Sequence, residues 1–418
     1  MAALLFQLPT GIQLLLGGIV AFGLTYLFTF GVISVSNKMG WVEKPTPGKI
    51  HTVTRPRLGG VGIFVAFLIV SLVFYAPTLS ANHPPVEKVF GQYYPKELVI
   101  YTLFILATIL TVVVNVYDDI HGMKPLPKLI AQTIAVLILM GPGLHNFHGV
   151  LFFGVHNPLP GAATSYQATF PWYRQPELTL FIHNTDVSFL AIPAVIFTWF
   201  WITGMMNAVN WLDGLDGLAA GIVAITGLFI AIISFLLHQY TIATLAAIFT
   251  GAVAGFLLHN WNPSKIIMGD SGSQFLGIAL AVLSVMGGAK FALILMVLGI
   301  PILDTAFVIG HRLLRGQSPL QRDELPLYKR ATHLHYRLLY GGLTVRQVCL
   351  VLYGVTFLLG LLALSLPPIY KFIGFAGVGI VMTFLLLWSR SLLDKTRTGT
   401  TGELPVRIRL KKAKSAVK

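Results

Sequence analysis

A single cysteine, Cys349, among 418 residues leaves this chain no intrachain disulfide and no thiolate-based metal centre. Its place in an apolar run reads as a small buried filler. Charge is scarce too. Asp, Glu, Lys and Arg make up 11% of the chain while 55% is hydrophobic, and mean hydropathy is +0.77, a balance that excludes an ordinary soluble domain. Acids are the scarcest, 15 against 29 Lys plus Arg, for a formal net charge of +14. Such an excess could suit nucleic acid, but the cations cluster beside apolar runs, where anionic lipid headgroups attract them, so nucleic-acid binding is set aside. No basic residue precedes the first apolar run and a basic cluster follows it, which reads as a retained span rather than a cleaved signal peptide.

What is present is a series of long apolar runs. A bilayer core takes about 20 apolar residues per helix. Eleven runs approach that length, roughly 11–35, 59–76, 98–116, 128–142, 189–209, 217–237, 241–258, 272–287, 290–311, 347–366 and 369–390. The expected fold is all-α, a polytopic transmembrane helical bundle of about 10–11 spans, with 1–394 as one integral membrane domain and 395–418 as a basic tail. Lys38, Lys44, Lys49, Arg55 and Arg57 follow the first run, and Arg312, Arg315, Arg322, Lys329, Arg330, Arg337 and Arg346 follow the ninth. The positive-inside rule makes these loops and the tail cytoplasmic, with the N-terminus outside a cell membrane. The opposite loops hold only Lys88, Lys96, Arg174, Lys290 and Lys371. Among them, the aromatic segment 143–188 suits outer headgroups or self-association as a homodimer, and the chemistry does not choose between these.

The few acids are unevenly placed. Asp118, Asp119, Asp213, Asp216, Asp270, Asp304, Asp323 and Glu324 all fall in predicted cytoplasmic loops or at adjoining span ends. A transporter coupled to protons or sodium places its acids at mid-bilayer on broken helices, and a non-catalytic scaffold gives no reason for this gathering. Adjacent carboxylates such as Asp118 and Asp119 repel unless a cation or donor compensates, although a solvated turn is the bland alternative. Between Asn207 and Gly221, Asn210, Asp213 and Asp216 stand among glycines that permit close backbone approach, or an Asp there caps the next helix. Asp270, between Gly269 and Gly272, is expected at a helix N-terminus, where it is a cap or holds Mg²⁺ while backbone N–H groups face a diphosphate. Asp304 lies within the ninth run, free or paired with a base. His333 and His335, with Arg330 and Arg337 beside them, suit phosphate oxygens or plain solvation. Lys124 and Lys128 follow the Asp pair, where positive-inside anchoring is the bland reading. Carboxylates for a hard cation, bases for phosphates and a membrane-surface position would join a soluble phosphorylated compound to a lipid-borne one, with hydrolase and transferase both open.

The order of these motifs resembles the polyprenyl-phosphate N-acetylhexosamine-1-phosphate transferases, the family of the WecA/TagO-like and MraY-like enzymes. The resemblance runs over about residues 45–340: His51 to Gly60 (HTVTRPRLGG), Asp118-Asp119, the Asn207 to Gly221 block, Asn260 to Gly272, and the histidine loop 333–336. It implies that a polyprenyl phosphate such as undecaprenyl phosphate attacks the β-phosphate of a UDP-sugar, with Mg²⁺ (or Mn²⁺), releasing UMP. Asp118, Asp119 and Asp270 are the implied catalytic acids, the pair acting as base or as nucleophile. Asp270, Asp213 and Asp216 are the implied metal ligands. Asn210, Asn260, His51, Arg55, Arg57, Lys128, Arg330, His333 and His335 are the implied substrate contacts. The chain departs from the family's H-x-H-H at Tyr336, which cannot carry positive charge at neutral pH. The segment from Lys49 through Gly60 and the H-x-H form resemble the WecA/TagO-like branch, which implies UDP-GlcNAc rather than UDP-MurNAc-pentapeptide. A polyprenyl-diphosphate phosphatase is the nearest enzymatic rival and would release phosphate instead of UMP.

Overall fold

The computed structural model describes residues 10–45, 53–75, 86–89, 92–141, 150, 179–182, 185–188, 191–286, 295–314, 316, 333–366 and 368–398. His51 and Arg330, most of the segment 143–188 and most of the tail lie outside these residues.

Each of the eleven apolar runs holds a helix. In chain order these are α1 (Thr10–Met39), α2 (Gly59–Phe74), α3 (Lys96–His121), α4 (Pro125–Met140), α5 (Ala191–Leu212), α6 (Leu218–Leu236), α7 (Tyr240–Asn260), α8 (Gly269–Val285) and α9 (Gly299–Leu314). The short α10 (Leu334–Tyr340), then α11 (Val345–Ser365) and α12 (Pro368–Thr398), complete the set. Among the described residues, six helices, α1, α3, α6, α7, α11 and a stretch of α12, are long and apolar enough to cross a bilayer, and α2 and α4 are shorter apolar helices. This is a multi-pass helical membrane protein. Among the described residues α8 and α9 are shorter than such a span, at 17 and 16 residues, and polar side chains enter two of the remaining runs: α5 carries Asn207 and Asn210, and α8 carries Asp270 and Gln274. Polar groups at such depth are tolerable because protein, not lipid, surrounds them. Indeed Phe275 to Leu283 of α8 are almost completely buried.

Lipid tails are as apolar as leucine, so the hydrophobic effect does not hold these helices to one another; close packing and polar contacts do. The α1–α7 pair shows how. Gly251 and Gly255, four residues apart on α7, lie against the α1 backbone: a Cβ on Gly251 would stand 2.0 Å from the Gly18 carbonyl oxygen, and one on Gly255 2.3 Å from that of Phe22. Near the end of α7, His259 stacks on Tyr26 with ring centroids 4.6 Å apart, and its Nε2 lies 3.1 Å from the Tyr26 carbonyl oxygen. Where α2, α3, α7 and α8 meet, Phe67 packs on Phe104, Phe249 and Phe275 at centroid distances of 5.4 to 6.3 Å.

Short antiparallel ladders close the loops. β1 (Val42–Glu43) pairs with β2 (Arg55–Pro56), β3 (Val86–Val89) with β4 (Gln92–Pro95), and β5 (Thr179–Ile182) with β6 (Thr185–Ser188). The last hairpin, with Thr179 opposite Ser188, lies in the aromatic segment, where no strand is expected from the sequence. The β2 strand carries on into a second pairing. Ile267 N–H donates to Pro56 O at 2.9 Å, Gly59 N–H to Ile267 O at 3.0 Å and Gly60 N–H to Met268 O at 2.9 Å. That seam fastens the start of α2 to the start of α8, and it places Arg57 beside the end of α3.

Candidate active site

The ends of α3, α5 and α7 and the starts of α4, α6 and α8 gather at one end of the bundle, and the scarce acids gather with them. Asp118 comes from the last turn of α3, Lys128 from the first turn of α4, Asn210 from the last turn of α5 and Asp270 from the first turn of α8. The Lys128 ammonium donates to Asp118 Oδ2 and to Asp270 Oδ2, one cation between two carboxylates. Asp118 Oδ1 accepts from the Met123 backbone N–H, which folds the α3–α4 turn over it. Asp270 Oδ1 accepts from Asn210 Nδ2 at 3.0 Å, and the same amide donates to Ser273 Oγ at 2.8 Å.

Asp119 serves a different purpose. Its side chain is completely buried, and its two oxygens accept from the backbone N–H groups of Asp270 at 2.9 Å and Ser271 at 3.0 Å. It therefore caps α8 from another helix, filling the anion seat that a helix N-terminus offers. The Asp119 carboxylate, rather than a diphosphate, occupies those amides. Gly269 makes this possible, because its φ of +79° suits glycine and a Cβ there would stand 2.6 Å from Asp119 Oδ2. Arg57 Nε is 3.4 Å from Asp119 Oδ1 and 3.8 Å from Glu43 Oε2. Burial opposes the Arg57 charge, but Asp119, Glu43, Asp270 and Asp118 outweigh it, and the guanidinium pKa rises.

Asp213 is half-buried, and its carboxyl has no hydrogen-bond or ion-pair partner among the described residues. Removal from water raises its pKa well above the usual carboxylate range, and Asp270, Asp119, Asp216 and Glu43 push it the same way. Four of the residues expected on metal or substrate are held by the protein itself. Asp216, expected on a metal, is saturated: Arg55 Nη1 lies 2.6 Å from Oδ1, Ser264 Oγ donates to Oδ1 at 3.0 Å, and Asn262 Nδ2 and Ser264 N–H donate to Oδ2 at 2.9 and 3.2 Å. Arg55, expected on substrate, is thereby tied into this knot, with a further bond to Ser264 Oγ at 2.7 Å. Asn260, also expected on substrate, is buried, accepting from Gly217 N–H and donating to Ile266 O, both at 3.0 Å. It closes the α7–α8 turn and holds the start of α6.

The histidine loop divides. His333 Nδ1 is 2.8 Å from Asp304 Oδ2, and its ring lies 5.9 Å from that of Trp211. Asp304 Oδ1 also accepts the Leu334 N–H at 2.8 Å, so this acid caps α10 and orients His333, the paired alternative of the two readings. His335, the fourth, is only 2% exposed and packs against Gly214, and its Nε2 has no hydrogen-bond partner among the described residues. Burial, with the His333 ring alongside, pushes its pKa down to about 3, while Asp304 acts the other way. Ser273 and Asp304 are members of the cluster that sequence reasoning left out of the site. A serine three residues after an Asp that opens a helix, and an acid in an apolar run upstream of a histidine pair, were the signals available.

Among the described residues, no three His, Cys, Asp or Glu side chains converge closely enough to hold a metal ion between them. The donors nonetheless fit Mg²⁺. Asp118 and Asp270 already share one cation, the partnerless Asp213 carboxyl feels Asp270 through space, and Mg²⁺ needs only one or two carboxylates beside water and phosphate oxygens. The side chains of Lys128 and Asp270 keep 19% and 22% of their surface exposed, so this part of the cluster is open to a ligand while Asp119 is not.

A polytopic helical membrane protein with an acid–lysine cluster at one end is the class that fold and site define. The sequence pattern of glycosyl transferase family 4 matches residues 101–288, which include Asp118, Lys128, Asn210 and Asp270. The chain is 27% identical over 380 residues, 90% of each chain, to the probable undecaprenyl-phosphate N-acetylglucosaminyl 1-phosphate transferase of Bacillus subtilis. It is 29% identical to the decaprenyl-phosphate N-acetylglucosaminephosphotransferase of Mycobacterium tuberculosis, over 82% of this chain and 79% of the relative. To the phospho-N-acetylmuramoyl-pentapeptide-transferase of Leuconostoc mesenteroides it is 30% identical, over 66% and 76%. The chain belongs to glycosyl transferase family 4.

Proposed function

We propose that this protein transfers GlcNAc-1-phosphate from UDP-GlcNAc to a polyprenyl phosphate such as undecaprenyl phosphate. UMP is released and a polyprenyl-diphospho-GlcNAc remains, the first membrane step of a cell-envelope polysaccharide. The observation that carries this reading is the Lys128 ammonium held between Asp118 and Asp270 at the accessible edge of the cluster. The bond that forms joins an oxygen of the lipid phosphate to the β-phosphorus, and the bond that breaks joins that phosphorus to the oxygen bridging to the α-phosphate, which leaves with UMP. A phosphate monoester has its second pKa near 6, so near neutrality the acceptor is already mostly dianionic. It needs a positive field more than a strong base, and Lys128 supplies one. Asp118, hydrogen-bonded to the same ammonium, takes the remaining proton when the monoanion binds. Asp119 has both oxygens on backbone N–H groups, which supports a positioning role and favours direct attack over a covalent aspartyl intermediate.

Asp270, Asp118 and Asp213 are the residues that would hold Mg²⁺, which when bound neutralises charge on the diphosphate. His333, fixed by Asp304 beside Trp211, is the imidazole offered to the diphosphate or the sugar. His51 and Arg330 are retained as phosphate contacts on sequence grounds alone. The basic loops support a cytoplasmic site. GlcNAc is preferred because the Bacillus relative, named for it, spans 90% of both chains, and because the histidine loop lacks a consecutive triplet. The deciding experiment is UMP release by the purified protein with undecaprenyl phosphate and Mg²⁺. UDP-GlcNAc should support release that requires the lipid, and UDP-MurNAc-pentapeptide should not. Release with the pentapeptide substrate alone would move the protein to the muramoyl branch, and silence with both would end the proposal.

A further inference from the structure

Three amide side chains meet inside the bundle, in runs that otherwise read as hydrocarbon-spanning. Gln132 on α4 donates through Nε2 to Gln274 Oε1 on α8 at 2.9 Å and to Asn207 Oδ1 on α5 at 3.3 Å. Asn207 Nδ2 returns a bond to Gln132 Oε1 at 3.1 Å and donates to Thr203 O at 2.7 Å. Gln132 is 5% exposed and Gln274 2%, so these two have no water or headgroup to fall back on.

Their spacing ties them to the site. Gln132 follows Lys128 by four residues, Gln274 follows Asp270 by four, and Asn207 precedes Asn210 by three. In an α-helix each of these separations is about one turn along the same face. α4 and α8 run away from the site and α5 runs towards it, so all three amides lie one turn, about 5.4 Å, deeper than their counterparts. The upper layer, Lys128–Asp270–Asn210, and the lower layer, Gln132–Gln274–Asn207, thus clasp the same three helices twice.

We propose that Gln132, Asn207 and Gln274 are positioning residues of this site, a layer that sets the rotation of α4, α5 and α8 so that Lys128, Asn210 and Asp270 converge. The inference rests on the transfer reaction proposed above. Within a low-dielectric bundle, turning any one helix strands amides that no solvent can satisfy, so the layer has one favourable register. Apolar side chains in its place would still fill space but would not choose that register. Outer layers of this kind typically influence function by about 10- to 100-fold while touching no ligand.

The test compares purified full-length wild type with Gln132→Leu, Gln274→Leu and Gln274→Glu. Ser284→Ala is the structural control, because it removes another buried α5–α8 bond, Trp201 Nε1 to Ser284 Oγ at 2.9 Å, remote in sequence from the cluster. Both leucine variants should lose about 10- to 100-fold in kcat with KM for UDP-GlcNAc within about twofold. Gln274→Glu keeps an oxygen to accept from Gln132 and should recover most of kcat. Ser284→Ala should lower the thermal midpoint without that kcat loss. Leucine variants with wild-type kcat, or a kcat loss matched by Ser284→Ala at equal thermal destabilisation, would overturn the proposal. If one leucine variant does not fold, the other and the Gln274→Glu comparison still decide. Wild type that releases no UMP would instead refute the underlying reaction, a separate outcome.

Discussion

Among the described residues Lys128 is the one cation that touches both Asp118 and Asp270, so its removal leaves two carboxylates facing each other. Breaking a partly buried, hydrogen-bonded charge pair in this way costs about 2–5 kcal/mol. Lys128→Met should therefore lower kcat/KM by about 100-fold or more, and Lys128→Arg should not restore it, since a planar fork does not replace a point charge. Steady-state kinetics on both variants check this. His335 sets a second expectation. Its imidazole is held neutral in the fold, down to about 3, whereas the unfolded chain protonates near 6.5. Below that pH the unfolded state binds the extra proton, so stability is present above 6.5 and is lost as pH falls towards the folded value. Thermal midpoints from pH 7 to pH 5 should fall less in His335→Gln than in wild type. At this scale the sequence made Asp118, Lys128, Asn210 and Asp270 legible, because charges and amides at the ends of apolar runs need a reason. It could not separate them from Asp216 and Asn260. A polar side chain that faces a ligand and one that satisfies a turn are the same letter, and only three-dimensional hydrogen bonding tells them apart.

The start of α8 is where element and site meet. Asp119 reaches from α3 to cap it, and Gly269, at φ +79°, leaves the space for that carboxylate. An alanine there must adopt a left-handed backbone, at a cost of about 1–2 kcal/mol, and must also displace Asp119. Gly269→Ala is expected to lower both the thermal midpoint and kcat, while Gly310→Ala, whose Cβ would meet nothing within 4 Å, should leave the midpoint near wild type. The length of the apolar runs located every long helix among the described residues, since hydrocarbon length is written directly in composition. It ended α3 near 116, whereas the helix continues to His121 and carries the Asp pair in its last turns. That extension depends on Asp118 and Asp119 finding Lys128, the α8 amides and Arg57, partners distant in sequence. The Pro56–Ile267 seam and the α10 cap by Asp304 were invisible for the same reason.

For the whole molecule, the basic loops and the α3–α4, α5–α6 and α7–α8 site turns should share the cytoplasmic side. Cys349 is buried, so an introduced cysteine can report on sidedness against a quiet background. In intact cells a membrane-impermeant maleimide should label Leu237→Cys, in the exposed α6–α7 turn, and should reach Lys44→Cys only after permeabilisation. Labelling in the reverse order would invert the topology. The central claim is that a sugar phosphate, not a sugar or a bare phosphate, passes to the lipid. Following the label from UDP-GlcNAc radiolabelled at its β-phosphate, with undecaprenyl phosphate and Mg²⁺, tests it most directly. The label should move quantitatively into the lipid fraction while UMP is released unlabelled. Label retained in UDP, or appearing as inorganic phosphate, would contradict it.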